Sequence, residues 1–152
     1  MALLTLYGID TGLKYDKFYG LSKLVAQLSG HAVPSNRQVV GDSLFKIESG
    51  IIASWFENCG VENATELFPF RWDVVGQAPV SVVFGKGSGI DSVKWGMRKL
   101  GVQFNEEEAM KVVAAIKEFS LQRKRLLTDE EFRSVVSATL PGKTVGTGKA
   151  AD

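Results

Sequence analysis

Apolar side chains recur at three- and four-residue spacing over several stretches of this 152-residue chain. That period places them on one face of an α-helix. In the first stretch, residues 15–29, the face consists of Phe18, Leu21, Leu24, Val25 and Leu28. The later stretches have faces made of Ile90, Val93, Met97 and Leu100, then Ala109, Val112, Val113, Ile116 and Phe119, and finally Phe132, Val135 and Val136. The chain is therefore predicted to be largely helical.

Residues suited to helix ends bound these stretches. Gly30 follows the first one, where a glycine commonly ends a helix. Asn105 and Thr128 are each followed three residues later by a glutamate, which is the capping-box spacing. The pattern predicts that helices begin directly after Asn105 and Thr128.

Residues 39–52 connect two of the predicted elements and have glycines, Gly41 and Gly50, near both ends. Their apolar side chains require a partner surface. The Glu48-Ser49 pair precedes an apolar run and is typical of a helix start, with Ser49 as the capping residue. From the residues alone, we interpret this stretch as a loop-to-helix junction that packs the core and leads into a helix over residues 51–58.

Residues 80–84 are β-branched and aromatic, with Pro79 before them and Gly85 after them, and they predict a strand. Because this is the clearest strand in the chain, we expect a mainly α fold with a small β component (α+β). Helical subdomains would surround one or a few short strands.

The glycine-rich turn at residues 85–89 lies between that strand and the next predicted helix. Backbone N–H groups of such turns can bind an anion, which makes Lys86, Gly87, Ser88 and Gly89 a weak candidate anion site. The spacing does not match a Walker A motif or a dinucleotide fingerprint. A tight structural turn is the simpler interpretation.

Two further runs have a structural and a functional interpretation. The aromatic run over residues 68–72 could stack on nucleic-acid bases, but it lacks a surrounding basic patch, so we expect core or interface packing. The basic run over residues 122–125 matches the last turn of a helix, where cations are favoured. We expect it to be a solvated helix end.

Composition narrows the classes of function. The 18 basic and 17 acidic residues give a net charge of +1, which does not favour nucleic acid or a membrane as a partner. No apolar run is long enough for a transmembrane helix, and no signal peptide is recognised. The single Cys59 fits a cytoplasmic location, and one histidine, His31, cannot form a histidine-based metal site.

Several motifs occur in an order that resembles a known family. They are Val33-Pro34, Val40-Gly41-Asp42-Ser43-Leu44-Phe45, Glu48-Ser49-Gly50-Ile51, Val83-Phe84-Gly85-Lys86-Gly87-Ser88-Gly89 and Leu127-Thr128-Asp129-Glu130-Glu131-Phe132. Together they resemble the region that follows the catalytic barrel in the 2-isopropylmalate, homocitrate and citramalate synthases. The resemblance covers roughly residues 2–139.

The resemblance implies a domain organisation. Residues 1–14 would be a remnant of the last barrel helix and a turn, residues 15–79 a first helical subdomain, and residues 80–140 a second subdomain with a strand and helices. The Gly-, Lys- and Thr-rich composition of residues 141–152 predicts a disordered tail. In the family these elements form much of a homodimer. The parent enzymes condense acetyl-CoA with a 2-oxo acid, using a divalent metal held in the TIM barrel.

The sequence departs from the family at positions that matter for chemistry. No barrel residues that would hold the metal are recognised, so no metal or other cofactor is expected for this chain. The family motif Glu-Ser-Gly-Ile-His ends here in Ile52, and an isoleucine cannot transfer a proton. An expected tyrosine corresponds to Thr65. The family-position candidates that remain are Glu48, Ser49 and Gly50, none of them assigned a catalytic role.

Three hypotheses follow. The first is a non-catalytic accessory and dimerisation module, forming a homodimer. The second is a subunit or fragment of a split or truncated acyltransferase, which would complete an active site on a separately encoded TIM-barrel subunit. The third is a small-anion binding module that uses the turn at residues 85–89. We expect neither nucleic acid nor membrane as a partner.

Overall fold

The computed structural model describes residues 7–146, so residues 1–6 of the predicted barrel remnant (1–14) and residues 147–152 of the predicted tail lie outside the described residues. The chain forms two compact units. One contains the residues up to Phe45 together with Phe68–Pro79, and the other contains Lys46–Leu67 and the residues from Val80 onward. The predicted subdomains, 15–79 and 80–140, are continuous in sequence, whereas these units are not.

The first unit contains α1 (Phe18–Ser29), which a 3-10 turn at Tyr15–Lys17 precedes. Gly30 ends α1 in the left-handed conformation (φ 71°), as the sequence predicts. A second 3-10 turn spans Trp72–Val75. None of the residues of α1 is buried, although its apolar side chains lie on one face.

Aromatic side chains form the centre of the first unit. Phe45 is 5% exposed, and its ring centroid lies 5.5 Å from that of Phe68, 5.9 Å from Phe70 and 6.3 Å from Trp72. Tilted and edge-on arrangements at these distances are favourable. The aromatic run over residues 68–72 therefore packs within the protein, as expected, and does not form an exposed stacking platform.

The second unit contains the only sheet within residues 7–146, two parallel strands, β1 (Lys46–Ile47) and β2 (Ser81–Val82). Lys46 is opposite Ser81 and Ile47 is opposite Val82. The strand predicted over residues 80–84 is thus real but shorter. The helices are α2 (Gly50–Cys59), α3 (Ile90–Lys99), α4 (Glu106–Arg123) and α5 (Asp129–Thr139), with a 3-10 segment at Val61–Glu66. The predicted fold class is confirmed.

Local sequence explains where two of these helices begin. Asn105 accepts a hydrogen bond from the Glu108 N–H and Thr128 accepts one from the Glu131 N–H, and each glutamate bonds back to the capping residue. Both predicted capping boxes are therefore present. Ser49 is at the N-cap position of α2, but its side chain makes no capping hydrogen bond, contrary to the expectation.

The core of the second unit is built around two stacked rings. Phe84 and Phe132 lie with centroids 3.8 Å apart and are almost fully buried. Gly96 on α3 faces this pair, and a Cβ there would lie 2.5 Å from Phe84 Cζ and 2.8 Å from Phe132 Cζ. Only a residue without a side chain fits against the stacked rings.

Residues 141–146 differ from the disordered tail that composition predicts. The Lys143 ammonium donates to Glu108 Oε2 (2.7 Å) and to the Gln103 carbonyl (2.6 Å). The Gly146 N–H donates to the Leu100 carbonyl at 2.9 Å. Specific polar contacts therefore hold this segment against the second unit.

Replacing Gly96 with alanine tests the packing of the ring pair. We expect Gly96→Ala to lower the free energy of unfolding by about 1–3 kcal/mol, because the new methyl group forces the stacked rings apart. The matched control is Gly20→Ala, since a Cβ at Gly20 in α1 meets nothing within 4 Å. Urea denaturation should show Gly20→Ala unchanged or more stable, and equal effects of the two changes would contradict the packing argument.

Candidate functional site

The parallel pairing of β1 and β2 brings two separate loops to one edge of the sheet. Glu48 follows β1 by one residue, and the glycine-rich turn at residues 85–89 follows β2. Because loops that leave the same ends of parallel strands lie side by side, the Glu48 carboxylate meets the turn. Its Oε1 accepts a hydrogen bond from the Gly87 N–H at 2.7 Å.

The glycines of the turn make room for this carboxylate. A Cβ at Gly85 would lie 2.5 Å from Glu48 Oε1, and a Cβ at Gly87 would lie 3.1 Å from the same atom. A larger residue at Gly85 would displace the carboxylate. The chain thus places one of its own anionic groups on the turn that sequence analysis proposed as an anion site.

Three further N–H groups of the turn, those of Gly85, Lys86 and Ser88, also have partners within the chain. The Gly85 N–H donates to Ser88 Oγ (2.9 Å), and the Ser88 N–H donates to the Gly85 carbonyl (3.1 Å). The Lys86 N–H donates to Ser120 Oγ at 3.2 Å. The backbone of the turn is therefore largely satisfied internally, so any ligand would contact it mainly through side chains.

The family-position candidates occupy different environments. Glu48 is half-buried on the turn, Ser49 is exposed, and Gly50 is buried with its Cβ position 3.0 Å from the Gly89 Cα. Ile52 is half-buried within α2, and Thr65 is exposed. Of these residues, the structure joins only Glu48 to the turn through a side-chain hydrogen bond.

An open cleft of about 350 Å³ adjoins the turn and contains residues that sequence analysis did not select. Its lining consists of Glu48, Lys86, Ser120, Leu121, Lys124, Arg125 and Leu126. The basic run was expected to be a solvated helix end. It does end α4 at Arg123, but Lys124 and Arg125 turn into the cleft wall. Only the spatial pairing of two distant loops reveals them.

Arg125 is held in place by an acidic partner. Its Nη1 and Nη2 donate to the two carboxylate oxygens of Glu131 at 2.7 and 2.6 Å. Hydrogen bonding from the Arg125 guanidinium lowers the pKa of Glu131 to about 2, and the Thr128 N–H contributes to the same shift. The carboxylate remains ionised at any physiological pH, so Arg125 is fixed and partly neutralised.

Residues 7–146 contain neither a cluster of metal-ligating side chains nor a candidate membrane-spanning helix. No three side chains of the ligating types His, Cys, Asp and Glu are grouped so that they could hold a metal ion. No helix there has the length and apolar character needed to cross a membrane. His31 is exposed, with its Nδ1 2.9 Å from the Ser29 carbonyl.

Comparison with known proteins identifies relatives of this chain. The chain is 37% identical over 136 residues to homocitrate synthase 1 of Nostoc sp., which covers 90% of this chain and 35% of that protein. It is 32% identical over 118 residues to the (R)-citramalate synthase of Methanocaldococcus jannaschii, and the match covers 78% of this chain and 23% of that protein. It is 30% identical over 138 residues to the 2-isopropylmalate synthase of Halalkalibacterium halodurans, and the match covers 91% of this chain and 26% of that protein.

The chain belongs to this synthase family and corresponds to a C-terminal region of its members. The resemblance seen in the sequence motifs is thereby confirmed. The chain spans between 23% and 35% of the length of these synthases. No protein-family model matches it.

The bond between Glu48 and Gly87 can be tested by two substitutions in this synthase-like region. Glu48→Ala leaves the Gly87 N–H without its acceptor and should lower the free energy of unfolding by about 1 kcal/mol. Glu48→Gln keeps an acceptor oxygen, so it should lower the free energy of unfolding by less. Amide hydrogen exchange at Gly87 should accelerate in Glu48→Ala and much less in Glu48→Gln. Unchanged exchange in both variants would show that the bond is not formed in solution.

The Arg125–Glu131 pair predicts a pH dependence. The pKa of Glu131 falls from 4.5 to about 2 on folding, so the pair stabilises the protein above about pH 4.5 and this contribution disappears as the pH falls toward 2. Arg125→Gln should therefore be less stable than the parent chain at pH 7, and the difference should shrink at pH 3 and below. Urea denaturation at each pH measures it, and a constant difference would contradict the assignment.

Proposed function

We propose that the chain is a non-catalytic accessory module of the synthase family that forms a homodimer through the apolar face of α1. The observation that carries the proposal is the exposure of this face. Leu21, Leu24, Val25 and Leu28 are 56%, 50%, 54% and 77% exposed. Their spacing places all four on one stripe of a single helix.

Such a stripe is costly when it faces water. Burying one large aliphatic side chain is worth roughly 1.5–3 kcal/mol, so four of them supply a substantial driving force for association. Contiguous apolar patches on a soluble protein mark interaction surfaces. A second copy of the chain carries the same stripe, and a two-fold interface pairs identical surfaces.

The neighbouring surface offers a receptor for such side chains. An open apolar depression of about 420 Å³ shares Leu21 and Val25 with the stripe, and its other lining residues are Phe18, Ser22, Val33 and Val40. Leu24 and Leu28 of a second copy are of suitable size and character to occupy it. The depression and the stripe belong to the same unit of the chain.

Two observations support a module without catalysis of its own. The position that the family resemblance gives to a histidine is Ile52, which has no titratable group. Glu48, the acidic family-position candidate, is engaged by the turn through Gly87. We also propose a cytoplasmic location, for which the single free Cys59 is the supporting feature.

Replacing Leu24 with lysine tests the proposed interface. Lysine is a good helix former, so α1 should persist, but a charge on the stripe should raise the dimer dissociation constant at least about tenfold. The control is Met110→Lys, which alters an exposed apolar residue (55%) on α4, a helix that belongs to the other unit of the chain. Sedimentation equilibrium should show a dimer for the parent chain and for Met110→Lys, and a monomer for Leu24→Lys.

A monomeric parent chain would overturn the homodimer. If that monomer also bound a hydrophobic dye and Leu24→Lys did not, the stripe would instead fit a different polypeptide. A separately encoded barrel subunit, whose active site this chain would complete, would then be the partner to seek. Equal dissociation constants for Leu24→Lys and Met110→Lys would remove the stripe from the interface.

A further inference from the structure

We propose that the cleft lined by Lys86, Lys124 and Arg125 binds the phosphate group of a small molecule. This binding site goes beyond the dimerisation proposed above and depends on a different unit of the chain. The cleft contains three cationic side chains and one carboxylate, that of Glu48. An anion is therefore the class of ligand that its charge favours.

Two of the three cations are available to a ligand. Within residues 7–146, neither Lys86 nor Lys124 forms an ion pair, whereas Arg125 donates from Nη1 and Nη2 to the Glu131 carboxylate. A lysine ammonium presents three N–H donors and is a common phosphate ligand. Two unpaired ammonium groups in one cleft can together neutralise a dianion.

The loops that carry the cations are fixed to each other before any ligand arrives. Ser120 is 5% exposed, and its Oγ accepts from the Lys86 N–H at 3.2 Å. The same hydroxyl donates to the Arg125 carbonyl at 2.8 Å. One buried hydroxyl thus links the turn after β2 to the segment after α4. Such preorganisation lowers the entropic cost of binding.

Lys124 adopts a backbone conformation that its side chain does not favour. It follows the end of α4 with φ 54°, in the left-handed region where glycine is strongly preferred. Glycine would end the helix with less strain, so the lysine is not explained by helix termination. Its side chain lines the cleft, and strained residues cluster at functional sites.

The size and lining of the cleft indicate the kind of molecule. About 350 Å³ accommodates more than an inorganic ion, and Leu121 and Leu126 provide an apolar wall for the remainder of the ligand. The two unpaired lysines outnumber the Glu48 carboxylate, so the net attraction grows with the charge of the anion and favours a doubly charged phosphate over a single carboxylate. These features point to a small phosphorylated metabolite.

Amide-detected NMR titration with inorganic phosphate tests the site. Saturable shifts are expected at Gly87, Ser120 and Arg125, and sodium chloride at equal ionic strength should not reproduce them. Lys86→Gln should weaken binding at least about fivefold, since it removes one unpaired charge. The matched control is Lys117→Gln, an exposed lysine elsewhere on α4, which should bind like the parent chain.

Two further variants separate binding from structure. Lys124→Gly relieves the strained backbone, so it should raise Tm and yet weaken phosphate binding at least about fivefold. Glu48→Gln keeps the acceptor for the Gly87 N–H but removes the repelling charge, so it should tighten binding by about twofold to fivefold. Full binding by Lys124→Gly, weaker binding by Glu48→Gln, or identical shifts with chloride would overturn the proposal.

Discussion

The parallel pairing of β1 with β2 is the constraint on which the candidate site depends. It is only two residues long on each strand, yet it brings Glu48 to a turn that lies 39 positions away in the sequence. The carboxylate then satisfies the Gly87 N–H, and Gly85 must lack a side chain for this to happen. A buried hydroxyl, that of Ser120, extends the same arrangement to the segment after α4.

Because of this arrangement, the backbone of the glycine-rich turn is not the anion-binding group that the sequence suggested. Such a turn usually offers free N–H groups to an anion. Here the N–H groups of residues 85–88 bond within the chain, and Lys86 projects its charge into the cleft instead. The recognition chemistry thus shifts from backbone to side chains. A phosphate held by lysine side chains is less rigidly oriented than one held by N–H groups, which suits an accessory site better than a reacting centre.

Sequence reasoning succeeded where the information is local. The capping boxes at Asn105 and Thr128 and the C-terminal Gly30 all appear as predicted because the interacting groups are within a few residues of each other. It failed where distant segments meet. The Glu48–Gly87 bond depends on a pairing of two strands of two residues each, which are too short to give a recognisable sequence pattern. The sequence around Lys124 is that of an ordinary helix end, so it did not indicate that the side chain lines a cleft. Helical periodicity predicted the apolar stripe of α1 but not that it would be exposed.

The exposed stripe of α1 contrasts with the buried faces of the helices in the second unit. The helices of the second unit bury their apolar faces against one another, with Val93, Val112 and Phe132 inaccessible to water. Helix α1 buries none of its residues. The difference between α1 and the other helices is therefore one of burial and not of apolar pattern, which supports the proposal that a second copy covers the stripe.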